Sequence, residues 1–164
     1  MADEKMLTVI REQVDASAAL QNIHAARGDV AGVIEQKLFY PYYRFKADCK
    51  VPTMIGKQDV AVECLVDGVN GLGATADPFA TDQLNVSDEN QLKPEITNCE
   101  AVKIAHRTVT HQLGKKLKMI APFDVTLEAT GLVYRSFWIV RIGDSRIMVD
   151  SVTGSMHPVR ANAA

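Results

Sequence analysis

Apolar and polar residues alternate strictly along Phe123–Thr130, and the same period of two runs through Lys37–Cys49, Val60–Asp67, Leu132–Ile142 and Ser145–Val152. That period puts successive side chains on opposite faces of a strand. Two stretches have helical spacing instead. Val14–Arg27 carries Leu20 and Ile23 among alanines, with Asp15 placed to cap its start and Gly28 to end it. Ala101, Ile104, Ala105, Val109 and Leu113 form a second stripe, opened by the capping-box pattern Thr97-Asn98-Cys99-Glu100 and expected to stop at Gly114. Val30–Gln36 reads as a strand because Gly28-Asp29 interrupts any continuation of the first helix. Gly68–Pro94 sustains no period and reads as a linker.

The pattern also returns. Leu65-Val66-Asp67-Gly68-Val69-Asn70-Gly71 recurs as Met148-Val149-Asp150-Ser151-Val152-Thr153-Gly154, each copy closing a strand that follows an aromatic one. An internal repeat is normally one supersecondary unit. The expected fold is α+β: two similar units, each a short helix packed on a small antiparallel sheet, at residues 1–74 and 96–164 with an acidic, polar linker at 75–95. Each hairpin is expected under its own helix, with Trp138 standing where Tyr43 does and Asp150 where Asp67 does.

A two-residue turn at Gly143-Asp144 sets Val140 opposite Ile147 and Trp138 opposite Val149. Carried through the repeat, it sets Tyr43 opposite Val66, Phe45 opposite Cys64, Ala47 opposite Val62 and Cys49 opposite Val60. Both faces so formed are apolar, which supports the register. Cys49 and Cys64 then lie roughly 13 Å apart, too far for a disulfide. The opposite faces differ. Lys46 falls opposite Glu63, whereas Arg141 falls opposite Arg146, and two like charges facing across a ladder call for an anion to answer them. On this reading Arg146→Glu preserves or slightly raises thermal stability and weakens partner binding. Tyr42 and Phe137, alternating with Arg44 and Arg135, extend the candidate binding surface.

Composition narrows the classes. Of 164 residues, 47% are hydrophobic and 23% charged, enough for one good core or two small fused ones. The net charge of -2 excludes a polycation, although residues 98–164 carry 9 Lys/Arg against 5 Asp/Glu. Three cysteines without paired ligand spacing suggest neither a disulfide framework nor a zinc site. No apolar run reaches the ~18 residues of a membrane span, and the acidic start Met1-Ala2-Asp3-Glu4-Lys5 is unlike a leader, so the cytoplasm is expected.

Gly68–Thr75 has phosphate-loop glycine spacing, but Ala74 stands where the lysine belongs. His106 and His111 are five apart and do not stack on one helix face. Lys115, Lys116 and Lys118 suit the negative end of the helix dipole. Asp67 and Asp150 fit Asx-turns, in which the carboxylate takes backbone N–H groups two and three residues on. No catalytic set, metal site or cofactor is indicated.

The stretch from Glu100-Ala101-Val102-Lys103-Ile104-Ala105 through Phe123–Leu127 to Arg146-Ile147-Met148-Val149-Asp150-Ser151-Val152-Thr153-Gly154 resembles the PepSY-like module, and residues 15–74 resemble it more loosely, with Asn70 in place of the threonine. That resemblance implies a short helix before a small antiparallel sheet ending in a V-D-x-x-T-G turn, and a non-catalytic binding or inhibitory role. The function expected is therefore a non-enzymatic binding or protein-interaction module, its partner a protein or peptide of acidic character or a second copy. The alternatives are a small-molecule enzyme with a cleft between the repeats and a weak nucleic-acid binder.

Overall fold

The computed structural model describes residues 3–28, 31–117 and 122–159. In chain order the elements are β1 (Glu4–Ile10), α1 (Ala16–Arg27), β2 (Val33–Thr53), β3 (Gly56–Asp67), β4 (Gly73–Ala76), β5 (Thr81–Ser87), α2 (Asn98–Leu117), β6 (Asp124–Ile142), β7 (Ser145–Asp150) and β8 (Met156–Pro158). The strands form one mixed sheet in the order β4-β3-β2-β6-β1-β5, with β7 on β6 and β8 on β7. This corrects the expected fold class. The described chain is mostly strand, in a single eight-stranded sheet rather than two small ones. The strands expected at Val30–Gln36 and Lys37–Cys49 are one strand, β2, whose described part starts at Val33; Val30 lies outside the described residues. Those at Phe123–Thr130 and Leu132–Ile142 are likewise one strand, β6, because Gly131 takes φ +93° and bends the chain without ending it.

By contact density the chain divides into unit 1 (Met1–Tyr40, Ala80–Leu92, Tyr134–Ala164) and unit 2 (Pro41–Phe79, Lys93–Val133). In unit 2, α2 buries Ala101, Ala105, Val109 and Leu113 against Phe45, Ala47, Cys49, Val51, Cys64 and Val66 of β2 and β3. Small residues let this helix lie close. A Cβ on Gly73 of β4 would come within 2.2 Å of Thr108 Oγ1, so only glycine fits beneath α2 there. In unit 1, α1 buries Ala19 and Ile23 against Val140, Ile147 and Val149 of β6 and β7.

Each hairpin therefore lies under the helix from the other half of the sequence, which overturns the expectation of a helix over its own hairpin. Backbone bonds fix the exchange. The N–H groups of Gln13 and Val14, just before α1, donate to Ser151 O, each at 2.8 Å; those of Glu95 and Ile96, just before α2, donate to Gly68 O at 2.8 and 3.1 Å. Trp138 Nε1 donates to Val14 O at 2.8 Å, and the Tyr43 hydroxyl donates to Ile96 O at 2.7 Å. Tyr43 and Trp138 thus occupy the same place in the bonding of their units.

The hairpin registers are as expected: Phe45 faces Cys64, Cys49 faces Val60, Trp138 faces Val149 and Arg141 faces Arg146. Asp15 caps α1 by accepting from Ala18 N at 2.8 Å, and Thr97 Oγ1 accepts from Glu100 N at 3.1 Å. α2 runs through Gly114 to Leu117 instead of stopping, since an interior glycine costs only about 1 kcal/mol and Leu113 is anchored in the core. Lys118 lies outside the described residues. β3 begins at Gly56 and Pro52 pairs with Lys57, so only Met54 and Ile55 turn the chain, both fully exposed. Within the stretch 75–95, residues 81–87 form β5, antiparallel to β1. No helix among the described residues is long and apolar enough to cross a membrane.

Candidate functional site

Arg141 and Arg146 face each other on β6 and β7, and the anion that answers them is Glu35 of the same chain. Arg146 Nε donates to Glu35 Oε2 at 2.6 Å, and Arg141 Nε lies 3.5 Å from Oε1. The hydrogen bond from Arg146, and secondarily the charges of both arginines, hold the Glu35 carboxyl below its ordinary range. Arg146→Glu would place a second carboxylate against Glu35, which reverses the expectation that this change preserves stability. Arg135 Nη2 pairs at 2.8 Å with Asp150, whose side chain is buried. Phe137 is buried too, with Tyr40 meeting it edge-on at 6.4 Å between centroids.

The site candidates Arg135, Phe137, Arg141 and Arg146 belong to unit 1, and Tyr42 and Arg44 to unit 2. Arg44 grips Glu63 through Nε and Nη2, each at 2.8 Å, and its guanidinium lies 4.4 Å from the centre of the Phe79 ring. This fork takes the role expected of Lys46, because a planar guanidinium matches both carboxylate oxygens. Tyr42 is half-buried. Each of the four arginines is thus held by a carboxylate of its own unit.

The remaining motifs resolve into structure. Asp67 Oδ1 accepts from Val69 and Asn70 N, and Asp150 Oδ1 from Val152 and Thr153 N; Gly71 and Gly154, at φ +76° and +78°, complete the two turns. A strand, not a helix, follows Gly68–Gly71, so the glycines cradle no phosphate at a helix start. Cys49 and Cys64 are buried and unbridged; desolvation pushes the Cys64 thiol up to about 11 and raises that of Cys49, leaving both poor nucleophiles at neutral pH. His106 and His111 are exposed on α2. Among the described residues no three His, Cys, Asp or Glu side chains converge as metal ligands.

What sequence reasoning missed is a cavity of about 480 Å³ in unit 2, alongside β3 and the C-terminal end of α2. Val60 and Val62, on the helix-facing side of β3, line it with Leu113 and Leu117. Lys46, Asp48, Ala61 and Glu63 line it from the other face of the sheet, and Ala76, Asp77 and Pro78 close one end. The cavity follows from unequal strand lengths. β3 has twelve residues, but β4 pairs only with Glu63–Val66 and ends at Ala76, so Lys57–Val62 have no neighbouring strand on that side among the described residues. The available signal was Asp77-Pro78, which ends β4 early since proline brings no N–H to a ladder. No family model, curated protein or solved structure matches this chain.

Proposed function

We propose that this chain is a non-enzymatic binding module whose recognition element is the unit 2 cavity beside β3. The observation that carries the reading is the cavity itself: it has the volume of a ligand site, and its walls combine four aliphatic side chains with charged groups at the rim. Of the charged residues lining it, Asp48, Asp77 and Glu128, and with them Lys46 and Lys116, are engaged in no ion pair among the described residues, in contrast to the four paired arginines. The resemblance to the PepSY-like module, with its implied binding or inhibitory role, points the same way.

Selection of displayed random peptides on the immobilised chain tests the proposal. Leu117 is 40% exposed, so Leu117→Glu alters the cavity wall without opening the core. The expected result is a family of enriched peptides whose binding falls about tenfold or more on Leu117→Glu, the effect of a charge set in an apolar contact. Absence of enrichment, or enrichment indifferent to Leu117→Glu, overturns the reading.

A further inference from the structure

The direction of the backbone groups along β3 says more about the occupant. Asp67 N donates to Leu72 O at 2.8 Å, away from β2, whereas Gly68 N donates to Pro41 O at 2.9 Å, toward β2. Backbone groups alternate in direction along a strand of an antiparallel ladder. The odd-numbered residues of β3 therefore aim N–H and C=O away from β2. Glu63 and Leu65 spend these groups on Ala76 and Ala74 of β4. Ala61 and Asp59, both exposed, aim theirs past the end of β4.

We propose that this bare edge takes up an extended peptide as an added strand, antiparallel to β3 and in line with β4, with apolar and basic residues alternating. The proposal rests on the binding reading above and names its mode and ligand. Alternate side chains of an added strand fall on opposite faces of the sheet. On the helix side they would meet Val60, Val62, Leu113 and Leu117, which calls for apolar residues. On the other side, the residue opposite Ala61 faces Asp48 beyond it, because Asp48 pairs with Ala61. Two strand spacings separate that residue from Asp48, about 10 Å, and the Ala61 methyl leaves the way open for a lysine to reach the carboxylate. Glu128 lines the same cavity, and with Asp48 and Asp77 it outnumbers the cavity's two cations, Lys46 and Lys116. A second copy fits worse: the self-pairing that uses all of Lys57–Ala61 sets Asp59 against Asp59.

The test uses a seven-residue capped peptide alternating valine and lysine, titrated into the full chain. In the antiparallel arrangement the residue opposite Ala61 exchanges both hydrogen bonds with it and carries its side chain on the Asp48 face, so lysine amides point at β3 and valine amides at water. N-methylation of the lysine amides should weaken binding about tenfold or more, and N-methylation of the valine amides should leave it unchanged. Glutamate in place of lysine should weaken it by a similar factor. Ala61→Pro should abolish binding with urea unfolding little changed, because the lost N–H faces off the edge; the N-methylated pair carries the test should this variant not fold.

Equal binding of the two N-methylated peptides overturns strand addition while the cavity stands as a binding site. Failure of the parent peptide, with displayed peptides still enriched by the Leu117-dependent cavity, overturns this ligand alone. A sedimentation dimer dispersed by Ala61→Pro would hand the edge to a second copy and overturn the proposal.

Discussion

In unit 2 the ladder between β2 and β3 runs for twelve pairs, from Tyr42–Asp67 to Thr53–Gly56, whereas in unit 1 the ladder between β6 and β7 ends after six, at Ile142–Ser145. The helices follow suit, with 20 residues in α2 and 12 in α1. Eight more helical residues add about 12 Å, but six more pairs add about 20 Å. The hairpin of unit 2 thus outruns the helix above it. What the units share is the turn carboxylate, the aromatic donor to the residue before the helix cap, and two N–H groups on one turn carbonyl. That common frame holds helix to hairpin. The surplus in unit 2 leaves Lys57–Val62 of β3 without a neighbouring strand beyond β4 among the described residues.

The largest expected effects lie at the turn carboxylates. Asp150 accepts two backbone N–H groups and pairs with Arg135 while 6% exposed, whereas Asp67 takes the same two bonds in a half-buried place. Asp150→Ala should cost about 3 kcal/mol, since it strands a largely buried guanidinium. Asp67→Ala should cost at least about 1 kcal/mol for its two backbone bonds. Urea unfolding measures both, and a loss of about 1 kcal/mol or less at Asp150 would show that stranding Arg135 costs nothing.

The aromatic donors come next. Tyr43→Phe removes one hydrogen bond and should cost about 1 kcal/mol. Trp138→Phe removes the matching bond, weakens the face beneath Lys37 Nζ at 4.7 Å and takes away some volume, and should cost about 2 kcal/mol. If Tyr43→Phe leaves the unfolding midpoint unchanged, the two donors are not equivalent clasps.

The smallest effect sharpens the contrast in charge between the hairpins. The folded-state pKa of Glu35 lies below its ordinary 4.5, so its contribution is complete above about pH 4.5 and disappears as pH falls through the lowered value. Glu35→Gln should flatten that step in Tm measured from about pH 6 to pH 3. Arg146→Glu should lower Tm at neutral pH and lose part of that penalty in acid. A pH profile identical to that of the unaltered chain would leave Glu35 with no role in the arginine pair.

Registers, caps and both Asx-turns were legible in the sequence because each is written within a few residues: Asp15 three before Ala18, Asp67 two before Val69, an apolar face repeating every second position. The exchange of helices was not. The faces of both hairpins are apolar and both helical stripes are built on small or aliphatic residues, so alternation does not say which covers which. β4 and β8, of four and three residues, are too short to show a period, and β5 is polar because it is an edge. Glu35 was missed for a related reason. It reaches Arg146 across 111 positions of sequence, and nothing local marks the pair. The cavity is visible only once β3 and β4 are known to differ in length.

The exchange of helices also sets an order on synthesis. α2 emerges after β2 and β3 and can pack on a hairpin that already exists, whereas α1 must wait about 120 residues for β6 and β7. At roughly 5–20 residues per second, α1 passes some 6–24 s without its platform. The first helix made is among the last to be buried, and until Trp138 reaches Val14 its apolar side is available to whatever chaperone attends the ribosome.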